Sequence, residues 1–103
     1  MIYELLDWGA DNALSRRDLA DITGLTDREL RRAVARERKR GLPIVTNTER
    51  GGGYYLPEGP EELARFIRSL RHRAVETAAA AAAMEATLME ALGQETIGGW
   101  FDG

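Results

Sequence analysis

Leu14-Ser-Arg-Arg-Asp-Leu-Ala-Asp-Ile-Thr-Gly-Leu-Thr-Asp-Arg-Glu-Leu-Arg-Arg-Ala-Val34 is the stretch on which the fold turns. Ser15 with Asp18, and Thr26 with Glu29, both have capping-box spacing, in which the N-cap and third helical side chains satisfy backbone amides that the first turn leaves orphaned. Two helices are therefore expected to begin near Arg16 and Asp27. Between them Gly24 supplies the left-handed conformation that ends one helix and lets the next leave at a steep angle. Leu19, Ile22, Leu25, Leu30 and Val34 are expected to converge beneath this turn. The pattern is that of a helix-turn-helix.

On a wheel of about 100° per residue, the face of the second helix opposite Leu30 and Val34 carries Arg28, Arg32, Ala35 and Lys39, with Arg31 and Arg36 at its edges. Such a face suits a reader of the DNA major groove. Arginine-rich outer faces also occur as ordinary solvated surface, so the flanking sequence has to decide.

Upstream, Ile2, Leu5 and Leu6, with Tyr3 and Trp8, read as a short first helix over Met1 to Trp8 ended by Gly9. Asp11-Asn12-Ala13 is a polar connector. Downstream, Gly41 is the expected stop of the arginine helix, and Leu42-Pro43 sets up extended chain. Ile44-Val45-Thr46 reads as a strand, Asn47 to Gly53 as a polar glycine-rich turn, and Tyr54-Tyr55-Leu56 as a returning strand ended by Pro57.

Gly41-Leu42-Pro43-Ile44-Val45 and Arg50-Gly51-Gly52-Gly53-Tyr54-Tyr55-Leu56-Pro57 resemble the winged-helix DNA-binding domain at the N-terminus of the biotin operon repressor family. There, a helix ending in Gly, an apolar strand, a Gly-Xaa-Gly-Tyr wing and a Leu-Pro exit follow one another. The chain as a whole also resembles short winged-helix proteins of phages and prophages, which carry this wing and then a long helix. The resemblance covers residues 2 to 58. It implies a winged helix-turn-helix that binds DNA; no catalytic domain follows, so ligase chemistry is not implied.

From Pro60 onward the chain changes character. Pro60 suits a first helical position, Glu61 and Glu62 suit the positive end of the helix dipole, and no breaker appears before Gly93. Leu63, Phe66, Ile67, Leu70, Ala74, Thr77, Ala78, Ala81, Met84, Leu88 and Leu92 form one stripe in steps of three and four. Its first turns are bulky enough to pack on a core. The unbroken alanines from Ala78 to Ala83 favour helix on their own and let another helix approach closely. A homodimer through Ala74, Ala78, Ala81, Met84, Leu88 and Leu92 is the expectation. The competing picture is a lone, solvated helix. The tail from Gly93 to Gly103 holds four glycines and the pair Trp100-Phe101, which reads as a flexible end or a short docking peptide.

The expected organisation is therefore mostly α with a small β-hairpin: a winged helix-turn-helix over 1–58, a long helix over 59–92 for packing and dimerisation, and a tail over 93–103. At 103 residues the chain suits one small domain with an extension. Its net charge of -3 is unevenly spread, because residues 26–41 set seven bases against Asp27, Glu29 and Glu37. No cysteine is present, which removes disulfides, thiol nucleophiles and cysteine-based zinc sites. Lys39 is the sole lysine among the bases, an arginine bias that hints at a GC-rich bacterial or phage genome. No membrane span or leader peptide is indicated, and a cytoplasmic location, in a bacterium or phage-infected host, is expected.

Neither catalysis nor a cofactor is indicated. His72, the single histidine, sits among Arg71, Arg73 and Glu76 in a charged helical stretch, and Gly51-Gly52-Gly53 is not followed by the Lys and Ser/Thr of a phosphate loop. For double-stranded DNA the expected division of labour is Arg28, Arg31 and Arg32 to base edges, and Arg36, Lys39, Arg16, Arg17 and the helix start at Thr26 to phosphates. Arg50 is expected to enter a minor groove. The leading expectation is a small dimeric transcriptional or replication regulator. The alternative is a protein-interaction module, an antirepressor or replication adaptor, that captures a partner through Met84, Leu88, Leu92 or Trp100-Phe101.

Overall fold

The computed structural model describes residues 1–46 and 52–93, which form a mostly helical chain with a two-stranded antiparallel hairpin and a long C-terminal helix. The helices are α1 (Arg16–Thr23), α2 (Asp27–Lys39) and α3 (Pro60–Leu92); the strands are β1 (Val45–Thr46) and β2 (Tyr54–Tyr55). The chain divides into two compact units, Met1–Ile67 and Arg68–Gly103. The first therefore runs past residue 58 into the opening turns of α3.

Local chemistry sets each boundary in this first unit. Ser15 Oγ accepts from the Asp18 amide at 3.0 Å and opens α1. The reciprocal bond is absent, because an Asp side chain is one methylene shorter than the Glu that completes a capping box. Gly24 closes α1 at φ 75°, its amide donating to Ala20 O at 2.8 Å. The end of α2 is a Schellman motif: Leu42 N–H donates to Glu37 O at 3.1 Å and Gly41 N–H to Arg38 O at 2.9 Å, with Gly41 at φ 92°. At the start of α3, Glu62 accepts from the Tyr55 hydroxyl at 3.1 Å and from the Glu58 amide at 2.9 Å. Burial and this carboxylate push the Tyr55 phenol up from its ordinary range.

The β layer is wider than its two strands. Val45 pairs with Tyr55 and Thr46 with Tyr54. On its other edge Tyr54 exchanges two backbone bonds with Leu14, at 3.0 and 2.8 Å, and Leu56 bridges to Trp8 through Gly9 N–H and Asp7 O. The segment before α1 is thereby stitched to the hairpin. Gly53 is required for that approach, since a Cβ there would lie 3.1 Å from Leu14 O at a φ of 115°.

Beneath these elements lies a core of Ile2, Leu6, Leu19, Leu30, Ala33, Val34, Ile44, Tyr54 and Leu56, flanked by Tyr3, Leu14 and Leu25. Full burial of each large aliphatic contributes about 1.5–3 kcal/mol. Ile22, expected in this cluster, is instead 58% exposed. The inward side of α1 is Leu19, buried, with Ala20 and Thr23 half-buried, and Ile22 falls beside it.

The expected helix over Met1 to Trp8 is also absent. In its place are a 3-10 turn over Tyr3–Leu5 and a second over Ala10–Asn12, with Leu6 extended between them. Pairing with the hairpin explains this. Gly9 N–H, which would close the last turn of that helix, is bonded to Leu56 O, and Leu56 N–H is bonded to Asp7 O. Meanwhile Glu37, buried on the inner face of α2, accepts from the amides of Ile2 (2.9 Å) and Tyr3 (2.8 Å) and from the amine of Met1 (3.3 Å). Burial raises the Glu37 carboxyl, but these donors outweigh it and hold the group below the ordinary carboxylate range.

A depressed carboxyl pKa in the folded state contributes stability that is fully present above the unfolded value and is lost as pH falls through the folded one. Glu37→Gln is expected to lower stability near neutral pH by about 1–3 kcal/mol and to flatten part of the acid-side decline, as measured by urea unfolding at a series of pH values. At the glycines, Gly53→Ala is expected to destabilise more than Gly24→Ala. Both positions are left-handed, but nothing lies within 4 Å of a Cβ at Gly24, so only the conformational cost of about 1–2 kcal/mol applies there. Thermal melts of the two variants compare them directly.

Candidate nucleic-acid interface

The surface is built by α1, the turn and α2. Thr23 Oγ1 donates to Leu19 O at 2.6 Å and accepts from the Leu25 amide at 3.2 Å, which fixes the turn from within. Leu25 packs against the core. α2 then opens with a complete capping box: Thr26 Oγ1 accepts from Glu29 N–H at 3.1 Å, and Glu29 Oε1 accepts from Thr26 N–H at 3.0 Å. The Thr26 backbone N–H, and after it the Thr26 hydroxyl, hold the Glu29 carboxyl below its ordinary range. Thr26, expected to serve phosphates, spends its amide and one hydroxyl lone pair on the cap.

Leu30, Ala33, Val34 and Glu37 are the buried residues of α2, so its outer face is fixed by elimination. Arg28, Arg31, Arg32, Ala35, Arg36 and Lys39 are all exposed, as the wheel placed them. They differ in what they hold. Arg31 Nε lies 3.1 Å from one Asp27 carboxylate oxygen, and Arg16 Nε lies 3.4 Å from the other. Asp27 thus clasps one arginine from each helix across the turn, beside a hollow lined by Ser15, Arg16, Arg17, Ala20 and Asp27. Among the described residues, Arg17, Arg28, Arg32, Arg36 and Lys39 have no ion pair.

Arg38 has a different task, and sequence reasoning missed it. Its Nε donates to Ile44 O at 2.7 Å, its Nη2 to Thr46 Oγ1 at 2.8 Å, and its guanidinium lies 4.9 Å from the Phe66 ring centroid and 5.7 Å from that of Tyr54. One side chain therefore ties α2 to β1, β2 and the first turns of α3. It follows a buried acid in sequence, so Glu37 and Arg38 anchor the inner side of the helix while the remaining arginines face outward. The signal available for Glu37 was its position, which continues the Leu30, Ala33, Val34 stripe.

Arg50 and the Trp100-Phe101 pair lie outside the described residues. Along α3, Ala74, Ala78, Ala81, Met84, Leu88 and Leu92 are all exposed, together with Val75 and Met89. Leu70, Arg73, Ala74, Thr77, Ala78 and Ala81 line a shallow apolar hollow on the helix. Among the described residues no His, Cys, Asp or Glu cluster could hold a metal, and no helix is long and apolar enough to cross a membrane.

No family model, curated protein or solved structure matches this chain.

The clasp yields a test that needs no known ligand. Exposed ion pairs contribute about 0–1 kcal/mol each, so Asp27→Asn is expected to leave the melting temperature nearly unchanged. By freeing Arg16 and Arg31 it is expected to move elution from a heparin column to higher salt. Unchanged elution would mean that Asp27 does not restrain the basic surface.

Proposed function

We propose that the chain is a winged helix-turn-helix protein that binds double-stranded DNA sequence-specifically, as a small dimeric transcriptional or replication regulator of phage or prophage type. The observation that carries this reading is the outer face of α2, where Arg28, Arg32, Arg36 and Lys39 stand exposed and without ion pairs among the described residues. That face belongs to a helix whose inner side is held at both ends, by the capping box and by Glu37 with Arg38. The order of two helices, a sharp glycine turn and a hairpin supports the winged reading, as does the pairing of Leu14 with Tyr54 ahead of α1.

The proposed contacts follow from position along the helix. Arg28 and Arg32 reach base edges, where a bidentate arginine on guanine gives about 1–3 kcal/mol of discrimination. Arg36, Lys39 and Arg17 meet phosphates, which fix register without reading sequence. Arg16 and Arg31 join them when a phosphate competes with Asp27. Arg50, between β1 and β2 in the sequence, is the proposed minor-groove contact. The two copies are joined through α3, by Ala74, Ala78, Ala81, Met84, Leu88 and Leu92.

The exposed Val75, Met84, Leu88 and Met89 also favour a second reading, in which α3 captures a different protein and the winged scaffold binds no DNA. Fluorescence anisotropy on random duplex DNA, at low and then physiological salt, separates the two. The expected result is binding that weakens steeply with salt, by counterion release from each neutralised phosphate. Arg28→Ala with Arg32→Ala removes two cations from the outer face of α2 and is expected to reduce affinity about tenfold with no change in the melting curve. Absence of binding at low salt would favour the interaction module.

A further inference from the structure

Between Leu70 and Leu88, α3 carries six positions at alternating steps of four and three: Leu70, Ala74, Thr77, Ala81, Met84 and Leu88. That is the spacing of a coiled-coil seam. The positions are equidistant in pairs about Ala79, and the sizes within those pairs are complementary. Leu70 and Leu88 are equidistant from it, as are Ala74 and Met84, and Thr77 and Ala81. When two copies run in opposite directions about that centre, Leu70 meets Leu88, each small Ala74 meets a large Met84, and Thr77 meets Ala81. When they run in the same direction, every layer meets itself, and the successive Ala74, Thr77 and Ala81 layers are all small.

The charges are arranged with the same polarity. From Arg68 to Glu76 the helix carries Arg68, Arg71 and Arg73 against one acid; from Thr77 to Leu92 its charged residues are Glu85 and Glu90. Arg71 and Glu85 both occupy the heptad position that flanks one side of the seam, and both are exposed without an ion pair among the described residues. Flanking charges of this kind set helix orientation. In an antiparallel pair that position faces its own counterpart, so Arg71 of each copy meets Glu85 of the other. In a parallel pair Arg71 faces Phe66 and Glu85 faces Ala80, and the two basic halves lie side by side.

We infer that α3 pairs antiparallel with α3 of a second copy of this chain, about a two-fold axis at Ala79, with Arg71 against Glu85 on each side of the centre. This orientation rests on the dimer reading proposed above and adds its register. It separates the two Leu70 residues by about 27 Å along the pair, at 1.5 Å per residue.

The chain has no cysteine, so engineered ones report without background. Light scattering of the unaltered protein first establishes whether it is a dimer; a monomer at every concentration overturns the dimer reading itself. Ala74→Cys and Met84→Cys are then prepared separately, mixed and oxidised. The expected result is a covalent dimer in the mixture and none from either variant alone. Crosslinking of Ala74→Cys with itself would establish a parallel pair, and a dimer that crosslinks in neither arrangement would place the contact elsewhere, on another partner surface or against residues 94–103. Either result overturns the register while leaving the dimer intact. Independently, Arg71→Glu is expected to weaken dimerisation roughly tenfold, and combining it with Glu85→Arg to restore it. A double variant as weak as the single one would rule out this charge pairing.

Discussion

The hydrogen bonds between the Glu37 carboxylate and the amides of Ile2 and Tyr3 are the constraint on which the first compact unit depends. A carboxylate that is 5% exposed is costly unless its lone pairs are filled, and here the N-terminal segment fills them. That segment then buries Ile2 and Leu6 against α2 and runs on to bridge Leu56. The adjacent Arg38 does the equivalent on the other side, bonding to Ile44 just before β1 and to Thr46 within it, and lying against the rings of Tyr54 and Phe66. Two neighbouring charges on one helix thus fasten the N-terminal segment, the hairpin and the start of α3 to α2. The burial of hydrophobic surface supplies most of the stability, while these directional bonds fix which arrangement is adopted.

The same anchoring holds the inner side of α2 and leaves Arg28, Arg32, Arg36 and Lys39 exposed on its outer face. An acidic chain with one basic helix concentrates its positive potential where α2 is exposed, so the net charge of -3 is compatible with a polyanion partner. Acids close to that face have local work: Glu29 completes the cap, and Asp27 holds Arg16 and Arg31 across the turn. The cap and the clasp both sit at the beginning of α2, the end that a major-groove helix presents to base edges. Restraining two arginines there leaves Arg28 and Arg32 as the extended, unpaired cations of the first turns.

The sequence was most informative where the determinants are local. The starts of α1 and α2, the left-handed Gly24 and Gly41, and the whole span from Pro60 to Leu92 follow from caps, breakers and periodicity, and the structure places them there. Local rules failed where distant partners compete. Met1 to Trp8 has helical spacing, yet the hairpin residue Leu56 draws Asp7 and Gly9 into extended pairing. Ile22 has the right spacing for the core but is exposed, Leu19 being the residue that α1 buries. The third arm of the β layer, Leu14, has no strand pattern at all, because a single residue pairs there with Tyr54. On the arginine face, spacing alone gave the exposed positions. It gave neither the Asp27 clasp, which needs the two helices in place, nor the separation of Arg38 from the outward-facing arginines.

The claim that α2 is the nucleic-acid face is tested most directly by an amide-correlation NMR titration of the isotope-labelled chain with a short random duplex at low salt. The expected result is that signals of the outer positions of α2, from Arg28 to Lys39, and of Arg16 and Arg17 shift first and return on adding salt. Shifts confined to α3, or none at low salt, would contradict it.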